Sequence, residues 1–177
     1  MSTEATTDGA PPPAFLSAPK RPGSITAAGV FLGVAAVLSW LFAVGGVIVR
    51  YGRGYDAEVM LIHSLVPAVS QAAVGLGFAV AAALVLAGWE GGRALGFAMI
   101  GIACWLGASA LTYLGIDLWQ RGPIGLSVYY LVYSGWIAVG ALALAAAPLL
   151  LNRVALDWFQ HRRAARGNQM PPLGPVT

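Results

Sequence analysis

The stretch Pro67–Gly115, PAVSQAAVGLGFAVAAALVLAGWEGGRALGFAMIGIACWLGASALTYLG, decides the fold. Its only charged residues are Glu90 and Arg93, and both fall in the glycine-rich Trp89-Glu90-Gly91-Gly92-Arg93. Two apolar runs, each long enough to cross the roughly 30 Å hydrocarbon core of a bilayer, flank that short polar break. The pattern predicts a transmembrane helical hairpin with a tight turn at 89–93.

The rest of the chain extends this pattern outward. A further apolar run lies on each side, predicting spans at 24–49, 62–88, 94–116 and 124–151 within a transmembrane domain 24–151. The fold class expected is all-α: an integral membrane four-helix transmembrane bundle. The whole chain has 177 residues, 58% hydrophobic and 10% charged, with a mean hydropathy of +0.74. Soluble domains carry about 25% charged residues, so lipid is the main solvent of this one. A single cysteine, Cys104, excludes an internal disulfide and any all-cysteine metal site within one chain.

Residues 1–23 hold Pro11, Pro12, Pro13, Pro19 and Pro22 among small polar residues, which predicts a disordered tail. The run after Lys20 and Arg21 is too long for a cleaved signal, so it reads as a retained first span. Residues 152–166 place Val154, Ala155, Trp158 and Phe159 on one helical face, predicting a short amphipathic interfacial helix whose arginines meet anionic lipid. Residues 167–177 are expected to be a second disordered tail.

Four spans put both termini on one side. Lys20, Arg21, Arg93, Arg153, Arg162, Arg163 and Arg166 then share that side, and Arg50, Arg53 and Arg121 lie on the other. The bias of Lys and Arg toward cytoplasmic ends predicts both termini in the cytoplasm. Nine arginines against one lysine, with abundant Ala, Gly and Val, suggest a GC-rich bacterial genome and hence a bacterial cell membrane. The net charge of +3 is gathered at the ends of the apolar runs, so no nucleic-acid partner is expected.

No Asp, Glu, Lys, Arg or His falls in the middle of a predicted span. Proton and ion carriers keep such a group at mid-membrane although it costs about 2.5–3.5 kcal/mol to insert, so a stand-alone carrier is disfavoured. His63 and His161 fall on opposite sides and cannot jointly hold one metal or haem; His63 near Asp56 and Glu58 is a weak outer metal site beside the plainer reading of an interfacial residue.

The tryptophans are more informative. Trp40, Trp105 and Trp136 lie well inside their spans, away from the interfacial belt where tryptophan is usual. Tyr129, Tyr133, Trp136 and Gly140 share one face of the fourth span. With Trp105 and Tyr113 they make a candidate outer-leaflet pocket for a flat lipophile such as a quinone, carotenoid or lipid tail. Aromatic packing, or docking of a larger partner, is the simpler account of the same residues. Small residues at four-residue spacing (Gly29 and Gly33; Ala73, Gly77 and Ala81) offer faces for close helix approach. Ser39-Trp40-Leu41 and Cys104-Trp105-Leu106 stand 65 residues apart, as do Gly75 and Gly140; two related hairpins would give this, and so does chance in a chain this rich in Ala, Gly, Val and Leu. The chain is thus expected to be a non-catalytic, multi-pass membrane protein, an accessory or scaffold subunit with membrane-protein partners. The alternatives are a binder of a lipophilic small molecule and, third, a small transporter or membrane enzyme. No cofactor or metal is expected.

Overall fold

A computed structural model of the chain describes residues 20–51, 65–121 and 128–167. Five α-helices fill these segments: α1 (Gly23–Tyr51), α2 (Val66–Ala87), α3 (Glu90–Arg121), α4 (Val128–Leu151) and α5 (Arg153–Gly167). Four of them contain stretches long and apolar enough to cross a membrane: Gly23–Ile48, Val66–Ala87, Glu90–Gln120 and Tyr133–Leu151. The protein is an all-α four-helix bundle of the kind that spans membranes. The two proline-rich tails, the 52–64 connection with His63, and residues 122–127 lie outside the described residues.

The helices form a closed ring. α1 packs along α2 and α4, and α3 packs along the same two neighbours. The close approaches set an antiparallel register. Gly29 faces Leu86 and Gly75 faces Trp40 between α1 and α2, while Gly77 faces Met99 between α2 and α3. Gly96 faces Leu150 between α3 and α4, and Gly135 faces Phe42 across α1 and α4. The core is built largely of alanine, with Ala28, Ala35, Ala81, Ala143 and Ala146 fully enclosed around Leu32, Phe78, Val85, Val139 and Leu150. Lipid offers no hydrophobic drive between helices, so small residues that admit close backbone contact hold such a bundle together.

The turn between α2 and α3 is shorter than its glycines suggest. Gly88 takes a left-handed conformation (φ 75°) and closes α2 with bonds from the Gly88 and Trp89 N–H groups to the carbonyls of Val85 and Leu84. α3 then begins at Glu90, not Ala94, with the carboxylate in its first turn where the helix dipole favours it. Gly91 and Gly92 are helical. A Cβ on Gly92 would fall 2.5 Å from Leu84 Cβ, so this glycine permits contact with the end of α2 and does not shape the turn. At its other end α3 continues past Ile116 to Arg121, because nothing in Asp117–Arg121 breaks a helix before Gly122-Pro123. Its 32 residues are about 48 Å long against about 33 Å for the 22 of α2. Trp119, near the far end, is 90% exposed.

α5 has the apolar face that its sequence announces, and that face is turned onto the bundle. Ala155, Trp158 and Phe159 are buried, while Val154 stays exposed. The Trp158 ring lies against Gly88, where a Cβ would come within 2.7 Å of it. Arg163 pairs with Glu90 at 2.9 Å, and Arg166 donates to the Ala87 carbonyl at 2.9 Å while its guanidinium sits over the Trp89 ring at 4.5 Å. The arginines are therefore tied in part to the α2–α3 turn. The same end of the bundle also carries Lys20, Arg21, Arg93 and Arg153.

Candidate functional site

Each hairpin has an outer seam, and the two seams are built differently. Between α1 and α2 the Trp40 ring lies over Gly75, and its indole N–H donates to the Ala72 carbonyl at 3.0 Å. Ser39, beside it, is fully buried and returns its hydroxyl to the Ala35 carbonyl. Glycine at 75 is required by the ring, since a Cβ there would fall 2.5 Å from Trp40 Cδ1.

Between α3 and α4 the contact is backbone on backbone. A Cβ at Gly140 would lie 2.9 Å from the Ala103 carbonyl oxygen, and one at Gly107 would lie 3.2 Å from that of Trp136. Outside this contact runs an apolar groove of about 260 Å³. α3 lines it with Cys104, Gly107, Ala108 and Leu111, and α4 with Ile137, Gly140, Ala141 and Leu144. Both sets follow i, i+3, i+4, i+7, one stripe per helix. Apart from the Cys104 thiol the lining side chains are hydrocarbon, so the groove recognises shape and apolar surface and has no acid–base pair for chemistry.

Of the five aromatic residues singled out from the sequence, the four whose side chains are described do not line this groove. Tyr113 and Tyr133 stack across α3 and α4, with ring centroids 6.2 Å apart and planes 14° from parallel. Trp136 is half-buried, its backbone carbonyl against Gly107. Trp105 is turned out of the bundle and 69% exposed. The side chain of Tyr129 lies outside the described residues. The outward position of Trp105 follows from helical phase: it stands two residues from both Ala103 and Gly107, on the side of α3 away from their contact with α4. The groove residues were visible only as scattered small positions; the paired stripes of Cys104–Leu111 and Ile137–Leu144 are the signal that marks them.

Four other polar side chains among the described residues make local contacts. Ser70, Ser109 and Thr112 bond to carbonyls three or four residues back on their own helices, and His161 Nδ1 lies 2.7 Å from the Asp157 carbonyl. Gln71 is 2% exposed, and its amide nitrogen has no partner among the described residues. Among the described residues no three His, Cys, Asp or Glu side chains come together to hold a metal ion. No family model, no curated protein and no solved structure matches the chain.

Proposed function

We propose that the chain is a non-catalytic subunit of a larger membrane assembly, an accessory or scaffold protein that works by contact through the α3–α4 seam. It sits in a bacterial cell membrane with both termini in the cytoplasm. The carrying observation is Trp105: an indole at the centre of a membrane-spanning helix, 69% exposed, beside a small-residue groove. No described residue accepts from its N–H group, and a polar N–H left unbonded in hydrocarbon is costly. A neighbouring protein supplies both apolar contact and an acceptor. The test is extraction in mild detergent followed by mass spectrometry. The expected result is a stoichiometric protein partner or self-association; a monomer carrying neither sinks the reading.

A second reading, a binding protein for a quinone, carotenoid or lipid, is favoured by the groove itself and by the stacked Tyr113 and Tyr133. The groove's size weighs against it. Small-molecule sites enclose about 300–1,000 Å³, whereas about 260 Å³ suits a single large side chain. If this reading holds, a lipophile co-purifies and its content falls after Trp136→Ala and Tyr133→Ala; unchanged content counts against it.

A further inference from the structure

The arginines at the α5 end of the bundle divide into those that the fold uses and those that it leaves unmatched. Among the described residues, seven Lys and Arg side chains stand at this end against the two carboxylates of Glu90 and Asp157. Three of the cations are engaged within the chain. Arg162 lays its stem against Gly88 and its guanidinium 5.4 Å from the centre of the Trp158 ring. Arg163 pairs with Glu90, and Arg166 bonds to the Ala87 carbonyl and covers the Trp89 ring. Arg93 and Arg153 make no ion pair and no side-chain hydrogen bond among the described residues.

The helix register brings these two arginines to one depth. Gly96 faces Leu150 across α3 and α4. Arg93 comes three residues before Gly96 and Arg153 three after Leu150, so in antiparallel neighbours they stand level. That level is the edge of the membrane: the apolar stretch of α4 ends at Leu151, and Arg93 lies one turn inside the stretch Glu90–Gln120. Arg93 is half-buried and Arg153 exposed. Glu90, one turn before Arg93, is already held by Arg163. Asp157, one turn after Arg153, forms no ion pair among the described residues. Nor does α5 call for a cation at Arg153, which is its first residue, where positive charge opposes the helix dipole. Cations at the edge of hydrocarbon are costly without a counter-charge.

We propose that Arg93 and Arg153 hold the phosphate of an anionic phospholipid, bound at the membrane edge where α4 gives way to α5. Charge complementarity supports it: the excess of cations at this end faces the headgroup layer, and the guanidinium fork matches phosphate oxygens. The neighbouring side chains favour a lipid over a soluble phosphate. Leu151 and Val154, 59% and 56% exposed, flank Arg153. Charge with apolar surface on either side suits an amphiphile, whose headgroup meets the arginines and whose acyl chain meets the leucine and valine. A free phosphate has no use for the apolar part. The site does not depend on the subunit reading.

The test uses the full chain in detergent, titrated with phosphatidylglycerol or with phosphatidylcholine of the same acyl chains, and counts bound lipid by native mass spectrometry. Preferential retention of one phosphatidylglycerol is expected. Arg93→Gln and Arg153→Gln each lower its affinity about fivefold, and the double variant lowers it further. Arg93→Lys and Arg153→Lys, which keep the charge and lose the fork, weaken it by smaller factors. Lys20→Gln combined with Arg21→Gln removes as much charge from the same end and leaves the preference in place. Helix content and melting temperature without anionic lipid check that each variant keeps its fold. Equal retention of the two lipids overturns the proposal, as does a preference that survives the double Arg93 and Arg153 variant. A preference lost equally in the Lys20 and Arg21 variant overturns it in favour of unspecific surface attraction. Displacement of the lipid by excess inorganic phosphate overturns it in favour of a free-phosphate site.

Discussion

The α1–α2 and α3–α4 hairpins are both antiparallel and close their seams by opposite means. In the first, a large side chain fills the seam: Trp40 lies on Gly75 and bonds to Ala72. In the second, the seam is emptied, and Gly107 and Gly140 let two backbones meet. A seam filled by a side chain can yield, because a rotamer change moves the obstacle. A seam closed by backbone cannot yield without moving a helix. The filled seam is also self-sufficient, whereas the closed one leaves its tryptophan and a groove on the lipid-facing surface. The bundle thus has one seam filled by a side chain and one closed by backbone.

This contrast can be broken most directly at the two glycines. Gly140→Leu drives a side chain into the Ala103 carbonyl and is expected to destabilise the bundle by about 3 kcal/mol, the upper end for overpacking. Gly75→Leu meets the Trp40 ring first and Ser39 Cβ at 3.1 Å, and is expected to cost about 1–2 kcal/mol as the ring swings outward. Steric-trapping measurements in bicelles would check the order; equal losses would remove the distinction between yielding and unyielding seams. The tryptophans come next. Trp40→Phe deletes the bond to the Ala72 carbonyl and should lower stability by about 0.6 kcal/mol. Trp105→Phe should leave the stability of an isolated copy unchanged, since the ring touches little of its own bundle. Unfolding of the two variants at high lipid dilution compares them directly. Smallest is Arg163→Gln. The pair with Glu90 is 76% and 51% exposed, so its loss should cost less than about 1 kcal/mol and be masked by salt. That measurement asks whether α5 is held by charge or by Trp158 and Phe159.

Much of the bundle was legible in the sequence because lipid imposes a simple demand. Backbone polar groups must be satisfied within each span, so a long run such as Pro67–Gly88 can only be helical. The turn at 89–93 was misjudged by four residues because glycine has two uses. Gly88 supplies a left-handed residue, while Gly91 and Gly92 sit inside α3 and allow close approach. Composition alone does not separate them. The face of α5 was legible as amphipathic, yet Trp158 reads the same whether it meets headgroups or Gly88. The aromatic residues were legible as unusual, but their directions were not. Whether Trp105 points in or out depends on which face of α3 meets α4, and that face is set by Ala103, Gly107 and Gly140 together. That is a tertiary property of three small residues and leaves no mark on the tryptophan itself.

The clamp of α5 on the α2–α3 turn also has a consequence for the order of assembly. Arg163 reaches back 73 residues to Glu90, and Arg166 reaches back 79 to Ala87. A nascent chain emerging from the ribosome completes all four spans before the segment that covers Gly88 and Trp89 has been synthesised. Until then that turn is bare and the end of the bundle is open. The last helix made acts as a seal on the completed ring, so a chain cut short after Leu151 keeps its spans and leaves that end unsealed.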